Sequence, residues 1–253
     1  MDLGLAGRRA LVTGGTRGIG RAIVAGLLAE GASVAFCARD ADAVAGTERE
    51  LGGDGGTVVG TALDVADHEA LSAWVTASAE RLGGVDVVVA NVSALAIPPT
   101  RENWELSYRV DMMGTVGVVE AAMPFLEQSD AASIVTISSV SGREIDFAAG
   151  PYGTFKAAIV HYTQGLAYQL AGKSIRANTV SPGNTYFDGG VWQSMESGDP
   201  EFFGEALALN PTGRMARPEE IANAVVFLAS SRASFITGTN LVADGALTRG
   251  VQL

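Results

Sequence analysis

The sequence predicts an α/β fold: an open, doubly wound parallel sheet of about seven strands with helices on both faces, in a single domain. Three observations predict it. Short apolar runs rich in Val and Ile alternate with helical segments of about 10 to 15 residues, the pattern of repeated right-handed βαβ units. The first apolar run passes through a glycine-rich turn directly into a helix. Finally, 253 residues at 47% hydrophobic and 18% charged suffice for one large core, and nothing reads as a linker, so residues 1–253 form one domain.

Leu11-Val12-Thr13 is the first strand, and it runs into Gly14-Gly15-Thr16-Arg17-Gly18-Ile19-Gly20. Ile23, Leu27 and Leu28 then continue at helical spacing to Gly31. Strand, turn and helix in this order make a phosphate site of the Rossmann type, because glycines let the backbone approach a pyrophosphate while free N–H groups and the helix dipole attract it. Ser33 to Ala38 is a second, fully buried strand, in which the lone Cys37 reads as a small core side chain. Arg39-Asp40 comes next, then a helix through Ala43, Val44 and Leu51 and a break at Gly52 to Gly56. Thr57 to Leu63 is the third strand, ending at Asp64-Val65, and Asp67 caps a helix carrying Leu71, Trp74, Val75 and Leu82.

Val85 to Ala90, closed by Asn91, is the fourth strand. Beyond Pro98-Pro99, Trp104 to Phe125 reads as one long helix despite Gly114 and Gly117. Ser133 to Ile137 is the fifth strand and reaches Ser138-Ser139. Pro151 suits a first helical turn, since it has no N–H to leave unpaired, and its helix runs to about Leu170. Ile175 to Val180 is the sixth strand, leading to Ser181-Pro182-Gly183. The segment 185–209 reads as a lid without regular structure, mixing Gly189-Gly190 with Tyr186, Phe187, Trp192, Phe202 and Phe203. Those aromatics either close over a substrate or fill a packing gap. Glu219 opens a helix through Ile221, Val225, Val226 and Leu228, and Asn240 to Val242 is a short last strand before Asp244-Gly245.

Tyr152 and Lys156 fall at i and i+4, on one helical face. A lysine ammonium beside a phenol favours the phenolate, which makes the pair an acid/base device. Lys156 and Lys173 are the only lysines, so a lysine here is not background composition. A net charge of -11 and a pI near 4.6 argue against nucleic-acid backbones and anionic membranes as partners. His68 and His161 stand alone and make no metal site. Met1 to Arg9 shows neither a leader pattern nor an apolar span, and the expectation is a cytoplasmic protein.

With these pieces in order the chain resembles the short-chain dehydrogenase/reductase family from Gly7 to Gly245. Thr13-Gly14 with Gly18-Ile19-Gly20 matches the family's coenzyme loop, Asp64-Val65 its adenine contact, and Asn91 the last asparagine of its Asn-Asn-Ala-Gly run, here Ala90-Asn91-Val92-Ser93. Ser139, Tyr152 and Lys156 match its catalytic triad, and Pro182-Gly183 the segment that meets the nicotinamide. Arg217-Pro218-Glu219-Glu220-Ile221 and Asp244-Gly245 match its C-terminal landmarks. Two positions depart. Asp111 stands where the family has an asparagine whose main-chain carbonyl helps hold a water linked to the lysine, and Thr185 is the nearest candidate for a threonine expected beyond Pro-Gly.

The resemblance implies an oxidoreductase that interconverts a ketone and a secondary alcohol, with the substrate oxygen between Ser139 and Tyr152. Tyr152 moves the proton, Ser139 stabilises the oxygen, and Lys156 holds the nicotinamide ribose and assists the phenol. Arg39, at the end of the second strand, accommodates a 2′-phosphate with help from Arg17, so NADP(H) is favoured and NAD(H) remains possible, the more so because Asp40 has a carboxylate to offer a ribose. Leu95, Ile97, Ile145 and Phe147 offer apolar walls, with Glu144 and Asp146 as polar features. A homo-oligomer, tetramer or dimer, is implied, and Gly114, Gly117, Ala121, Ala157 and Ala158 would allow close packing of its helices. Two alternatives stay open: a non-catalytic NADP-binding regulatory protein, and a dehydratase or enoyl reductase on the same fold.

Overall fold

A computed structural model describes residues 2–52 and 57–250, so of the break expected at Gly52 to Gly56 only Gly52 lies within the described residues. The elements are β1 (Arg9–Thr13), α1 (Gly18–Ala29), β2 (Ser33–Ala38), α2 (Ala41–Leu51), β3 (Val58–Ala62), α3 (His68–Leu82) and β4 (Val87–Ala90). They continue as α4 (Arg101–Ser107), a π-helical turn (Tyr108–Met113), α5 (Gly114–Leu126), β5 (Ser133–Ile137), α6 (Pro151–Leu170) and β6 (Arg176–Pro182). The chain closes through α7 (Val191–Gly198), α8 (Pro200–Ala208), α9 (Pro218–Ala229) and β7 (Asn240–Ala243).

All seven strands pair in parallel in the order β3-β2-β1-β4-β5-β6-β7. The inner strands β2, β4 and β5 are buried on both faces, which is why they read as continuous, largely apolar runs rather than alternating ones, whereas the edge strands β3 and β7 are only partly covered. One core lies under α1, α2 and α9 and is built on Ile23, Leu27, Phe36, Ile221 and Val225. Its counterpart, under α3, α5 and α6, is built on Leu71, Trp74, Val118, Ile134 and Leu166.

Three expectations change. The long helix does not run unbroken from Trp104: it begins at Arg101, capped by Thr100 Oγ1 accepting from Asn103 N–H, and passes through a π-helical turn around Asp111. The segment 185–209, expected as an irregular lid, is not irregular. Gly190 and Asp199 precede α7 and α8, with Asp199 accepting from Phe202 N–H, and the aromatics of the segment form a third small core around Trp192, Ala206 and Met215. Gly114 and Gly117 serve packing within the chain: a Cβ on Gly114 would lie 2.9 Å from Val65, and one on Gly117 would lie 3.2 Å from both His68 and Leu71.

Candidate active site

The sheet order reverses direction between β1 and β4, and the crevice at the carboxyl ends of those strands is where such a fold leaves room for a dinucleotide. The glycine turn is built for close approach there. Gly14 and Gly18 have φ of 72° and 51°, the left-handed region that favours glycine, and a Cβ on Gly20 would lie 2.0 Å from Gly14 O. Asn91 ties this turn to β4: its side-chain amide donates to Thr13 O at 3.0 Å and Gly14 O at 3.2 Å, while Thr13 Oγ1 accepts from Asn91 N–H at 3.0 Å. Thr16 lies half-buried in the turn and Ile19 in the first turn of α1. Arg17 and Arg39 are both exposed, at the start of α1 and the end of β2. Asp40, by contrast, is engaged as the N-cap of α2, accepting from Ala43 N–H at 2.9 Å.

Asp64 accepts from Ala66 N–H and stands exposed beyond β3, with Val65 buried against Gly114. Pro182 ends β6, and Gly183 packs so tightly on Asp244 that a Cβ would come within 2.8 Å of its Cα. Thr185 is buried and its hydroxyl donates back to Gly183 O at 3.1 Å. From the segment 185–209 it is Phe187 that meets the glycine turn, its ring 2.5 Å from where a Cβ on Gly18 would lie. Sequence reading placed Phe187 only among the lid aromatics.

Ser139 leaves β5 in extended conformation and caps a short 3₁₀ turn, its Oγ accepting from Ser141 N–H at 3.2 Å. Among the described residues its own proton has no acceptor, so it is free to donate. The segment after it is fitted closely to α6, since a Cβ on Gly142 would lie 2.8 Å from Ala157 N and one on Gly153 would lie 2.7 Å from Ser141 O. Ser138 Oγ adds a bond to Lys156 O at 2.8 Å. Tyr152 is half-buried at the head of α6, with Lys156 Nζ 5.7 Å from its ring centroid.

Lys156 is 1% exposed. Its ammonium donates to Ile137 O at 3.0 Å and lies 3.5 Å from Asp111 Oδ1, and Asp111 is itself fully buried. The π-helical turn delivers that carboxylate inward, and Thr115 Oγ1 donates to the Asp111 main-chain oxygen at 2.7 Å. Asp111 Oδ1 also accepts from Ser93 Oγ at 2.7 Å, and Oδ2 from Ala94 N–H at 3.2 Å. The sequence marks Ser93 only as the end of a run that departs from the family's Asn-Asn-Ala-Gly, with nothing to tie it to Asp111.

The family model described as enoyl-(acyl carrier protein) reductase, of the short-chain dehydrogenase type, matches residues 14–248. The chain belongs to the short-chain dehydrogenase/reductase family. This short-chain dehydrogenase/reductase is 43% identical to isoepoxydon dehydrogenase of Penicillium expansum, over 100% of this chain and 99% of the relative. Its fold superposes on the NADPH-bound short-chain oxidoreductase of Pseudomonas aeruginosa, described as containing an atypical catalytic center, with TM-score 0.88 and 29% identity over 96% and 98% of the two chains. L-sorbose reductase of Gluconobacter frateurii, solved with NADPH and L-sorbose, superposes with TM-score 0.89 and 27% identity over 99% and 100%. The present short-chain dehydrogenase/reductase is thus an oxidoreductase acting between CH–OH and C=O on a small molecule with a nicotinamide coenzyme. Among the described residues no helix is long and apolar enough to cross a membrane.

Proposed function

We propose that the chain is an NADP(H)-dependent oxidoreductase that interconverts a ketone and a secondary alcohol, with Tyr152 as general acid/base. The observation that carries this reading is the fully enclosed Lys156 one turn beyond Tyr152, its ammonium fixed by Ile137 O and facing the Asp111 carboxylate. Burying a lysine costs several kcal/mol unless it is paired, and its carbon stem gains nothing that a leucine would not supply. A charge delivered to this spot is therefore explained by chemistry at Tyr152. The free proton of Ser139 is available to the oxygen on which negative charge develops, and Tyr152 donates or takes up the proton at that same oxygen. A nicotinamide coenzyme, when bound, would supply the hydride chemistry at the carbon.

Gly14, Gly18, Ile19 and Gly20 would hold the coenzyme pyrophosphate, with Asn91 keeping the turn in shape and Lys156 reaching the ribose. Preference for the phosphorylated coenzyme is supported by Arg39 and Arg17, both exposed, and by Asp40, whose capping bond to Ala43 turns it toward its own helix. The NADPH in the Pseudomonas and Gluconobacter structures supports the same reading. For the substrate, the first candidate is isoepoxydon, on the strength of the Penicillium relative. A half-exposed Phe147 packed edge-on against Trp192 and Phe202 of the lid, at 5.7 and 5.3 Å, supports an apolar side to the cleft.

The test is nicotinamide absorbance with NADP, NADPH, NAD and NADH against isoepoxydon and a panel of cyclic and open-chain ketones and alcohols. The expected result is turnover with the phosphorylated pair exceeding that with the other by at least about tenfold. Reduction of conjugated enoyl thioesters with no turnover of any ketone or alcohol would replace this reading by the chemistry named in the family model's description.

A further inference from the structure

We propose that Ser93 is a positioning residue that holds the Lys156 ammonium at its working distance from Asp111 and, through the same hydroxyl, fixes the loop beside the catalytic helix. This rests on the oxidoreductase reading. Asp111 Oδ1 is shared: Ser93 donates to it at 2.7 Å, while Lys156 Nζ stands off at 3.5 Å, well beyond the roughly 2.7–2.9 Å of a charge-assisted contact. The other oxygen is tied to Ala94 N–H. A carboxylate whose two oxygens are each held in this way is fixed in orientation and neutralises the buried lysine without drawing it into contact. Of the three ammonium protons Ile137 O takes one at 3.0 Å, which leaves the others for the Tyr152 side of the site.

The serine hydroxyl has one proton, and it is committed to Asp111, so its oxygen is available as an acceptor. Leu95 N–H uses it at 3.2 Å. Leu95 is one of three non-glycine residues of positive φ among the described residues, at 50°, a conformation a leucine keeps only when its surroundings impose it. The loop continues to Ile97 and Pro99, whose carbonyl oxygen and Cβ would lie 3.0 and 3.4 Å from a Cβ on Gly150, the residue that opens α6. One hydroxyl thus joins the buried ion pair to the loop that packs on the catalytic helix. It also couples Asp111 directly to Ser93, which ends the run Ala90-Asn91-Val92-Ser93 where the family has Asn-Asn-Ala-Gly.

The consequence is a rescue that ordinary structural damage does not produce. In Ser93→Ala the vacated Oδ1 pulls Lys156 toward Asp111 and away from Tyr152, and kcat/KM falls about tenfold, the scale of one charge-assisted hydrogen bond. Adding Asp111→Asn removes the pull, so the double variant recovers most of that loss, while Ser93→Thr, which keeps the hydroxyl, stays near the wild-type value. Coenzyme affinity, titrated by NADPH fluorescence, moves in the same order because Lys156 also serves the ribose. If Ser93→Ala does not fold, Ser93→Cys carries the same comparison with a weaker donor.

Losses that simply multiply in the double variant, or a Ser93→Ala protein within twofold of wild type in both turnover and NADPH affinity, would overturn the proposal. A wild-type chain that binds NADPH yet turns over no ketone or alcohol would instead sink the oxidoreductase reading, and the NADPH titration would still decide whether Ser93 positions Lys156.

Discussion

Arg39 and Asp40 are neighbours with opposite assignments, and the start of α2 makes the difference. Asp40 is held by the first turn of that helix, whereas Arg39 is exposed at the end of β2. Arg39→Asp is therefore expected to move the NADPH-over-NADH ratio of kcat/KM toward NADH by about a hundredfold, because it removes a phosphate partner and adds repulsion. An unchanged ratio would take Arg39 out of the site. At this scale the sequence was informative wherever chemistry demands a residue type at a fixed interval, as with Tyr152 and Lys156 one turn apart. Ser93 was legible only as a departure in the Ala90–Ser93 run, because its bond to Asp111 spans 18 residues and no local pattern encodes it.

Among the elements, the β1 turn into α1 is the least tolerant of change. Gly20→Ala would set a methyl group 2.0 Å from Gly14 O and 2.5 Å from the Asn91 amide, so coenzyme affinity measured by calorimetry is expected to collapse even where the protein still folds. A different kind of anchor joins the starts of β1, β4 and the segment before β5. Asp86, 1% exposed, accepts from Arg9 Nε and Nη2, both at 2.7 Å, and from Ser129 Oγ at 2.6 Å. Burial alone would raise its carboxyl, but the Arg9 and Ser129 hydrogen bonds outweigh it and hold the group below the ordinary carboxylate range.

Because the folded value is depressed, this stabilisation is present above the ordinary carboxylate range and is lost as pH falls through the lowered one. Asp86→Asn is expected to cost about 3 kcal/mol near neutrality in urea denaturation, with the gap to wild type narrowing as the solution is acidified. A gap independent of pH would remove the charge from the explanation. The π-helical turn around Asp111 was not legible, since one extra residue per turn leaves the apolar spacing of 104–125 nearly intact. The lid helices carried a readable signal in Asp199-Pro200, an N-cap with a first-turn proline after it, but aromatics and glycines obscured it.

For the whole molecule, two cores sandwich the sheet while the segment proposed as a lid keeps a third of its own, with Trp192 5% exposed and stacked on Phe202. Loosening the lid should therefore leave the sheet alone. Trp192→Ala is expected to speed amide exchange within 191–208 by about a hundredfold and raise the substrate KM, with the strands' protection unchanged. Uniform loss of protection would show the lid to be part of the main fold's stability. The alternation of strands and helices was readable most plainly at β2, β4 and β5, whose burial leaves short runs that are largely apolar. The proposed catalysis turns on one side chain, and the most direct test is Tyr152→Phe, with kcat and coenzyme affinity measured on the same preparation. The expected result is a fall in kcat of at least about a hundredfold with NADPH affinity changed only a few-fold, since the ring remains and the proton donor is gone. Turnover near the wild-type rate in that variant would contradict Tyr152 as the general acid/base.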